Sequence, residues 1–530
     1  MLRPLRVVRS AVLACCAAMI LLPHAAGAVG AAASCPAPTD LATPTEQLRA
    51  LSLDLLGTPP TLPDYAAVQA KGEVDAATLA AMLSSDAFAA RAVRRHRDML
   101  WIGLDNLRLL SVPQGLAKSG SLYWRSGGNV AFYHRGQRVP CVDKPAAWDE
   151  DGELVFWPQE DGTKREGFVQ VKPYWAPNTT IKVCALDAQD TLVSPAGKDC
   201  SQQGSYYDPA CGCGPELRWC RYGVVTDRKI LQGFAKALEK QIAAVVSEDR
   251  PYTDLFTEKV AWVNGPIAYF WKHQAHLTAP LRMTPAPVDA SALPNLPFDA
   301  EDTWVKVPLG GAHAGILTAP AFLLRFQTDR SRAARYYNTF LCQPFQAPET
   351  GIPVDAVAAV SEPDLQKRAG CKYCHALLEP VSAFWGRWVQ NGAAFLDPAA
   401  FPPWRQDCDA CAKTGLQCST ECKLHYLTTA YSEPEKAFLG WLEAYVFRQP
   451  AHLKHIDQGP KLMALGTVVD QRLPRCVVHS TAGWLLGRAL AGEDELAWAD
   501  QLAVDFAQQG FSYRKLVATI VASETYRRVR

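Results

Sequence analysis

Thr43-Pro44-Thr-Glu46-Gln-Leu48-Arg-Ala-Leu51-Ser-Leu-Asp-Leu55-Leu-Gly57 reads as one helix with both of its ends written into it. Thr43 is a capping type, Pro44 suits the first helical position, and Glu46 stands where a capping box needs it. Leu48, Leu51 and Leu55 recur at helical spacing, and Gly57 is a C-terminal stop. Thr58-Pro59-Pro60 is a turn. The same signals predict helices over 76–84 and 87–101, giving an N-terminal helical domain over 36–110. Arg91, Arg94, Arg95 and Arg97 cluster on the last of these helices and read as a solvated face.

Working outward, the composition changes over 111–225. Gly, Trp, Tyr, Asp and Cys rise and helical periodicity disappears. Alternating pieces such as Gly167-Phe-Val-Gln-Val-Lys172 and Thr180-Ile-Lys-Val-Cys184 predict strands. Cys184, Cys200, Cys211, Cys213 and Cys220 are expected to staple this region, with Cys141 as a further candidate. It is therefore read as a Cys-rich irregular/β insertion, whose Trp and Tyr residues serve packing rather than a ligand surface. Helical pattern returns over 227–247, where Ile230, Leu231, Phe234, Leu238, Ile242 and Val245 make an apolar stripe. Stretches 253–269 and 319–342 also read as largely helical, so 226–345 is a central helical domain. From 431 to 530 come helices over 433–448, 475–489, 494–508 and 512–525, a C-terminal helical domain. The fold class that follows is mainly α and multi-domain.

At the other end, Arg3, Arg6 and Arg9 precede a short apolar run from Ala11 to Leu22. Pro23 and Ala26-Gly27-Ala28 then complete the layout of a secretory signal peptide over 1–28. Ala32-Ala33-Ser34-Cys35 resembles a lipobox without the usual Leu, so a lipid anchor at Cys35 is the minor reading. No later stretch is long enough for a transmembrane helix. A net charge of +1 without a Lys/Arg block gives no reason to expect nucleic acid. Seventeen Cys suit an oxidising compartment. Setting aside Cys15 and Cys16 of the leader, and the two of the motif below, leaves an odd number. One thiol is then free, lipidated or paired elsewhere.

The chemistry is concentrated in Cys371-Lys-Tyr-Cys374-His375, the c-type haem attachment signature. Two thiols three residues apart on one helical turn reach the two vinyl groups of one porphyrin, and the adjoining imidazole is placed to ligate the iron. In random order, 17 Cys and 11 His among 530 residues would produce this pattern in about one chain in a hundred, so chance is a poor explanation of a motif that marks haem attachment. A Cys371–Cys374 disulfide, a thioredoxin-like redox pair and half of a zinc site are the alternatives. Trp385 and Trp388 are candidates for the haem wall or for ordinary core. Cys408-x2-Cys411-x6-Cys418-x3-Cys422 follows, read as two disulfides in preference to zinc or an iron–sulfur cluster. Segment 346–430 is thus a cytochrome c-like haem-binding segment carrying a second Cys-rich insertion. His425, His452, His455, Met463 and His479 are open candidates for a sixth ligand. Single histidines such as His96 and His313 read as structural. There is no Walker A loop, HExxH, GxSxG elbow or GxGxxG after a strand.

Several segments together resemble the large bacterial envelope proteins built from planctomycete-cytochrome-type domains of unknown function. They are Leu48–Pro60, Leu83-Ser-Ser-Asp-Ala-Phe88, Arg95-His-Arg-Asp-Met-Leu-Trp101, Gly315–Phe322, Phe340-Leu-Cys-Gln-Pro344, Cys371–Pro380 and Leu485-Leu-Gly-Arg488. The resemblance implies one covalent haem c on Cys371 and Cys374, with His375 as the proximal iron ligand. It implies no substrate and no sixth ligand. The resulting expectation is an exported, periplasmic monohaem cytochrome in electron transfer with an envelope redox partner protein, or the redox module of an oxidoreductase. The alternative is a haem-stabilised or disulfide-rich binding or scaffold protein, for a polysaccharide or protein partner, without redox turnover.

Overall fold

The computed structural model describes residues 41–528, apart from 105–106, 346–361, 363, 428–432 and 444–449. The signal-peptide and Cys35 expectations fall outside them. Helix α1 (Pro44–Leu51) carries the expected capping box between Thr43 and Glu46. It then widens into a π-turn over Ser52–Leu56, closed by Gly57 at φ +77°. α2 (Leu62–Lys71), α3 (Ala76–Leu83) and α4 (Asp86–Leu100) follow, α4 capped by Ser85.

The region 111–225 folds as a five-stranded sheet inside disulfide-held loops. Strands β1 (Gly115–Ser119) and β2 (Leu122–Arg125) form a hairpin, followed by the short helix α5 (Val130–Arg135) and the two-residue pair β3 (Trp157–Pro158) and β4 (Lys164–Arg165). β5 (Phe168–Val171) and β6 (Ile181–Cys184) are the two strands predicted from their alternation, and they pair antiparallel. With β7 (Arg221–Tyr222) the sheet order is β5-β6-β2-β1-β7. Disulfides Cys141–Cys184, Cys200–Cys211 and Cys213–Cys220 staple it. Tyr174, Trp175 and Trp219 are buried in the main core, while Tyr133 (65% exposed) and Trp148 (56%) face outward. The aromatics of the insertion therefore divide between packing and surface.

The long helix α6 (Gly223–Ser247) buries its predicted stripe against α4. Residues 253–269, expected to be largely helical, are instead a short helix α7 (Asp254–Thr257), a strand β8 (Val260–Val263) and a helix α8 (Gly265–His273). β8 extends because it finds an antiparallel partner, β9 (Val305–Pro308), about forty residues away. Asn264 then restarts the helix by accepting from the Ile267 N–H. Stretch 319–342 is likewise two helices, α9 (Pro320–Arg325) and α10 (Asp329–Phe340), the second opened by Thr328.

Beyond α11 (Lys372–Ser382) come α12 (Gln406–Thr414) and α13 (Thr420–His425), a small hairpin stapled by Cys408–Cys422 and Cys411–Cys418. Of the stretch 433–448 expected to be helical, the described residues form a 3-10 turn at Pro434–Phe438 before extended backbone at Leu439, and 444–448 lie outside the described residues. Then α14 spans Pro450–Val469 across a kink at Gly459, and α15 (Arg472–Leu486), α16 (Glu493–Gln508), α17 (Tyr513–Ala522) and α18 (Glu524–Arg527) complete the chain. Segments 36–110, 111–225, 226–345 and 431–530 all contribute to one continuous apolar cluster running from Leu51 to Tyr526. The two ends of the described span are joined as well: the Ala42 N–H donates to the Arg527 carbonyl, and the Tyr526 hydroxyl donates to Asp54.

Two of the four clustered arginines are not a solvated face. Arg91 donates to the Asp54 carbonyl, and Arg95 reaches Ser480 on α15. His96, between Arg95 and Arg97, is structural as expected. Its Nδ1 lies 2.7 Å from the Ala92 carbonyl and its Nε2 lies 3.0 Å from the Tyr252 hydroxyl. Burial pushes its pKa down to about 4. The neutral form is the one the fold accepts, so this stabilisation is complete above the unfolded value near 6.5 and is lost as pH falls towards 4. His96 then makes stability fall by about 1.4 kcal/mol per pH unit in that window. Urea titrations of the wild type and His96→Phe across pH 4–6.5 should differ by about that slope; parallel pH dependences would remove His96 from the acid response.

Candidate functional site

Gly370 adopts φ +80°, a left-handed conformation that turns the chain into α11 at Cys371. The Cys374 and His375 N–H groups both reach the Cys371 carbonyl, so the motif occupies the first helical turn. Cys371 and Cys374 are half-buried free thiols, and they are the two free cysteines among the described residues. The twelve other described cysteines form six disulfides. The Cys371–Cys374 disulfide is not formed. Of the seventeen cysteines, Cys15, Cys16 and Cys35 lie outside the described residues.

His375 is held by a neighbour that the motif itself does not contain. One helical turn later, the Glu379 carboxylate meets His375 Nδ1 at 2.7 Å. Glu379 is 2% exposed, and Arg330 of α10 donates to the same oxygen, Oε1, at 2.5 Å. An i,i+4 spacing puts both side chains on one helix face, so this partner was legible from His375 and Glu379; Arg330 was not. Pro380 follows inside the helix and has no N–H to continue it. The helix ends at Ser382, followed by one 3-10 turn over Ala383–Trp385.

The two tryptophans are core. Trp385 is fully buried and donates to the Leu317 carbonyl, and Trp388 packs edge-on against His313. Arg332, also fully buried, pins α10 to the chain after α11 by donating to the carbonyls of Trp388, Val389 and Gly392. Burial pushes its pKa down to about 10, so it remains a cation at neutral pH.

The structure distributes the five sixth-ligand candidates over different surroundings. His455 stacks on Phe384 and its Nδ1 lies 3.0 Å from the Pro380 carbonyl, so it braces the far end of α11. His452 is buried one turn earlier on α14, and Met463 is buried in the main core. His479 is half-buried on α15. His425 is buried beside Phe401, its Nδ1 has no hydrogen-bond partner, and burial pushes its pKa down to about 4. It lines a cleft of about 400 Å³ with His276, Arg282, Lys423 and Glu443, between the two Cys-rich regions.

Two groups of potential metal ligands lie close together among the described residues: Cys141, Glu166 and Cys184, and Asp407, Cys408 and Cys422. In both, the two sulfurs are joined in a disulfide and are not thiolate ligands. The 408–422 cluster is therefore a pair of staples, as expected. No helix of the described residues is long and apolar enough to cross a membrane. No family model, no curated protein and no solved structure matches this chain.

Proposed function

We propose that the chain is an exported carrier of one covalent haem c, acting in electron transfer with a redox partner protein of the cell envelope. The observation that carries this reading is selective pairing. In a chain whose other described cysteines are all in disulfides, Cys371 and Cys374 stay apart, directly before a histidine. Six disulfides also fit an oxidising compartment, where such thiols need a reason to remain single.

The residues fit the group. Cys371 and Cys374 would anchor it through thioether bonds. His375 has Nδ1 engaged, which leaves Nε2 as the nitrogen that can bind iron. Leu377 adjoins Cys374 on the helix surface, and Leu377 and Tyr373 are 42% and 46% exposed, an apolar strip beside the thiols that a porphyrin would cover. When bound, haem c supplies one-electron chemistry at a potential set by its ligands and surroundings. The same site would serve as the redox module of an oxidoreductase if a substrate cleft fed it.

The test is a pyridine haemochrome spectrum of the exported protein beside Cys371→Ala/Cys374→Ala. The expected result is one c-type haem per chain that survives acid–acetone extraction, and none in the variant. Absence of haem after expression with a working attachment system would overturn the reading. It would leave the second one, a stapled binding protein whose outward Tyr133 and Trp148 face a polysaccharide or protein.

A further inference from the structure

We propose that Glu379 is a positioning residue for His375, and that with Arg330 it sets the reduction potential of the centre. This rests on the haem reading above and adds to it two residues outside the attachment motif. A carboxylate that is 2% exposed is expensive to bury unless it is paired. Here the pairing is specific: one oxygen, Oε1, meets both His375 Nδ1 at 2.7 Å and Arg330 Nε at 2.5 Å. An imidazole whose Nδ1–H points at a carboxylate is fixed in tautomer and ring orientation, and Nε2 keeps the lone pair.

The carboxylate also does more than orient. It makes the imidazole a stronger electron donor than a backbone carbonyl acceptor would, which favours the oxidised, more highly charged state of a metal on Nε2 and lowers its potential. Arg330 opposes this, because its guanidinium competes for the same oxygen. Glu379 is fixed in the interior on α11, whereas Arg330 comes from α10 and its side chain is 44% exposed. The two residues are therefore a buried donor and a surface-accessible counterweight.

The experiment is a redox titration of the haem-loaded wild type, Glu379→Gln, Glu379→Asp and Arg330→Gln, with haem content and the reduced absorption spectrum recorded for each. Glu379→Gln should favour the reduced form about tenfold, an upward shift of about 59 mV for one electron. Glu379→Asp keeps the charge but loses the reach, and should shift the same way. Arg330→Gln, at an accessible position, should shift downward. Equal potentials in all four proteins would overturn the proposal. So would a Glu379→Asp protein that matches the wild type while Glu379→Gln shifts, since charge alone would then be acting. A wild type without haem overturns the parent reading, and this one with it; a haem-loaded wild type with unshifted variants overturns this one alone.

Discussion

Replacing both Cys342 and Cys476 by Ala is expected to give the largest loss of stability of any change to the cross-links. This disulfide joins the end of α10 to α15 across a sequence separation of 134 residues. The other five close spans of 7 to 43 residues. On the chain-entropy account a loop of this length is worth about 5 kcal/mol, against about 3 kcal/mol for a 15-residue loop. The loop also encloses Cys371–His375 and both disulfides of the 408–422 hairpin. Opening it should lower the thermal midpoint and reduce protection of α11 from proteolysis, while the small-loop variant Cys411→Ala/Cys418→Ala shows a smaller drop. Equal effects from the two variants would mean that native packing, and not loop closure, governs the contribution of these bonds.

Arg135→Met should cost about 3–5 kcal/mol, because it breaks a buried ionic cluster on one side only. Arg125, Arg135, Glu166 and Asp187 are all at most 2% exposed at their side chains. Asp187 lies 2.9 Å from Arg125 Nε and 3.0 Å from Arg135 Nη2, while Arg135 Nε donates to Glu166 at 3.0 Å. The two guanidinium groups hold the Asp187 carboxyl down at about 2 in spite of its full burial. Two cations and two anions balance. Without Arg135, Glu166 is left as a buried anion whose described ionic partner is gone. The insertion should then lose its near-UV circular dichroism and become a protease target. Adding Glu166→Gln should recover most of the loss, since the stranded charge is the damaging element. A double variant as unstable as the single one would show instead that the Arg135 side chain matters through packing.

The sequence by itself determined what is local. The Thr43–Glu46 capping box, the Gly57 stop and the stripe of α6 follow from short-range spacing, and the structure places each of them. So do the alternation of β5 and β6 and the identity of Cys371, Cys374 and His375 as a unit. The Glu379 partner of His375 was within reach of the same reasoning, because an i,i+4 neighbour is fixed once the helix is.

What only the tertiary structure decided is partnership at a distance. Helical and extended readings of 253–269 compete locally, and β8 is settled by pairing with β9. Arg330 and Glu379 are 49 residues apart, and Cys342 is 134 residues from Cys476. The fully buried Trp385 and Trp388 took core positions through Leu317 and His313. Spacing encodes the face a residue presents, but not what comes to meet it. That depends on closing long loops, whose entropy is repaid only when the main core from Leu51 to Tyr526 assembles as a whole.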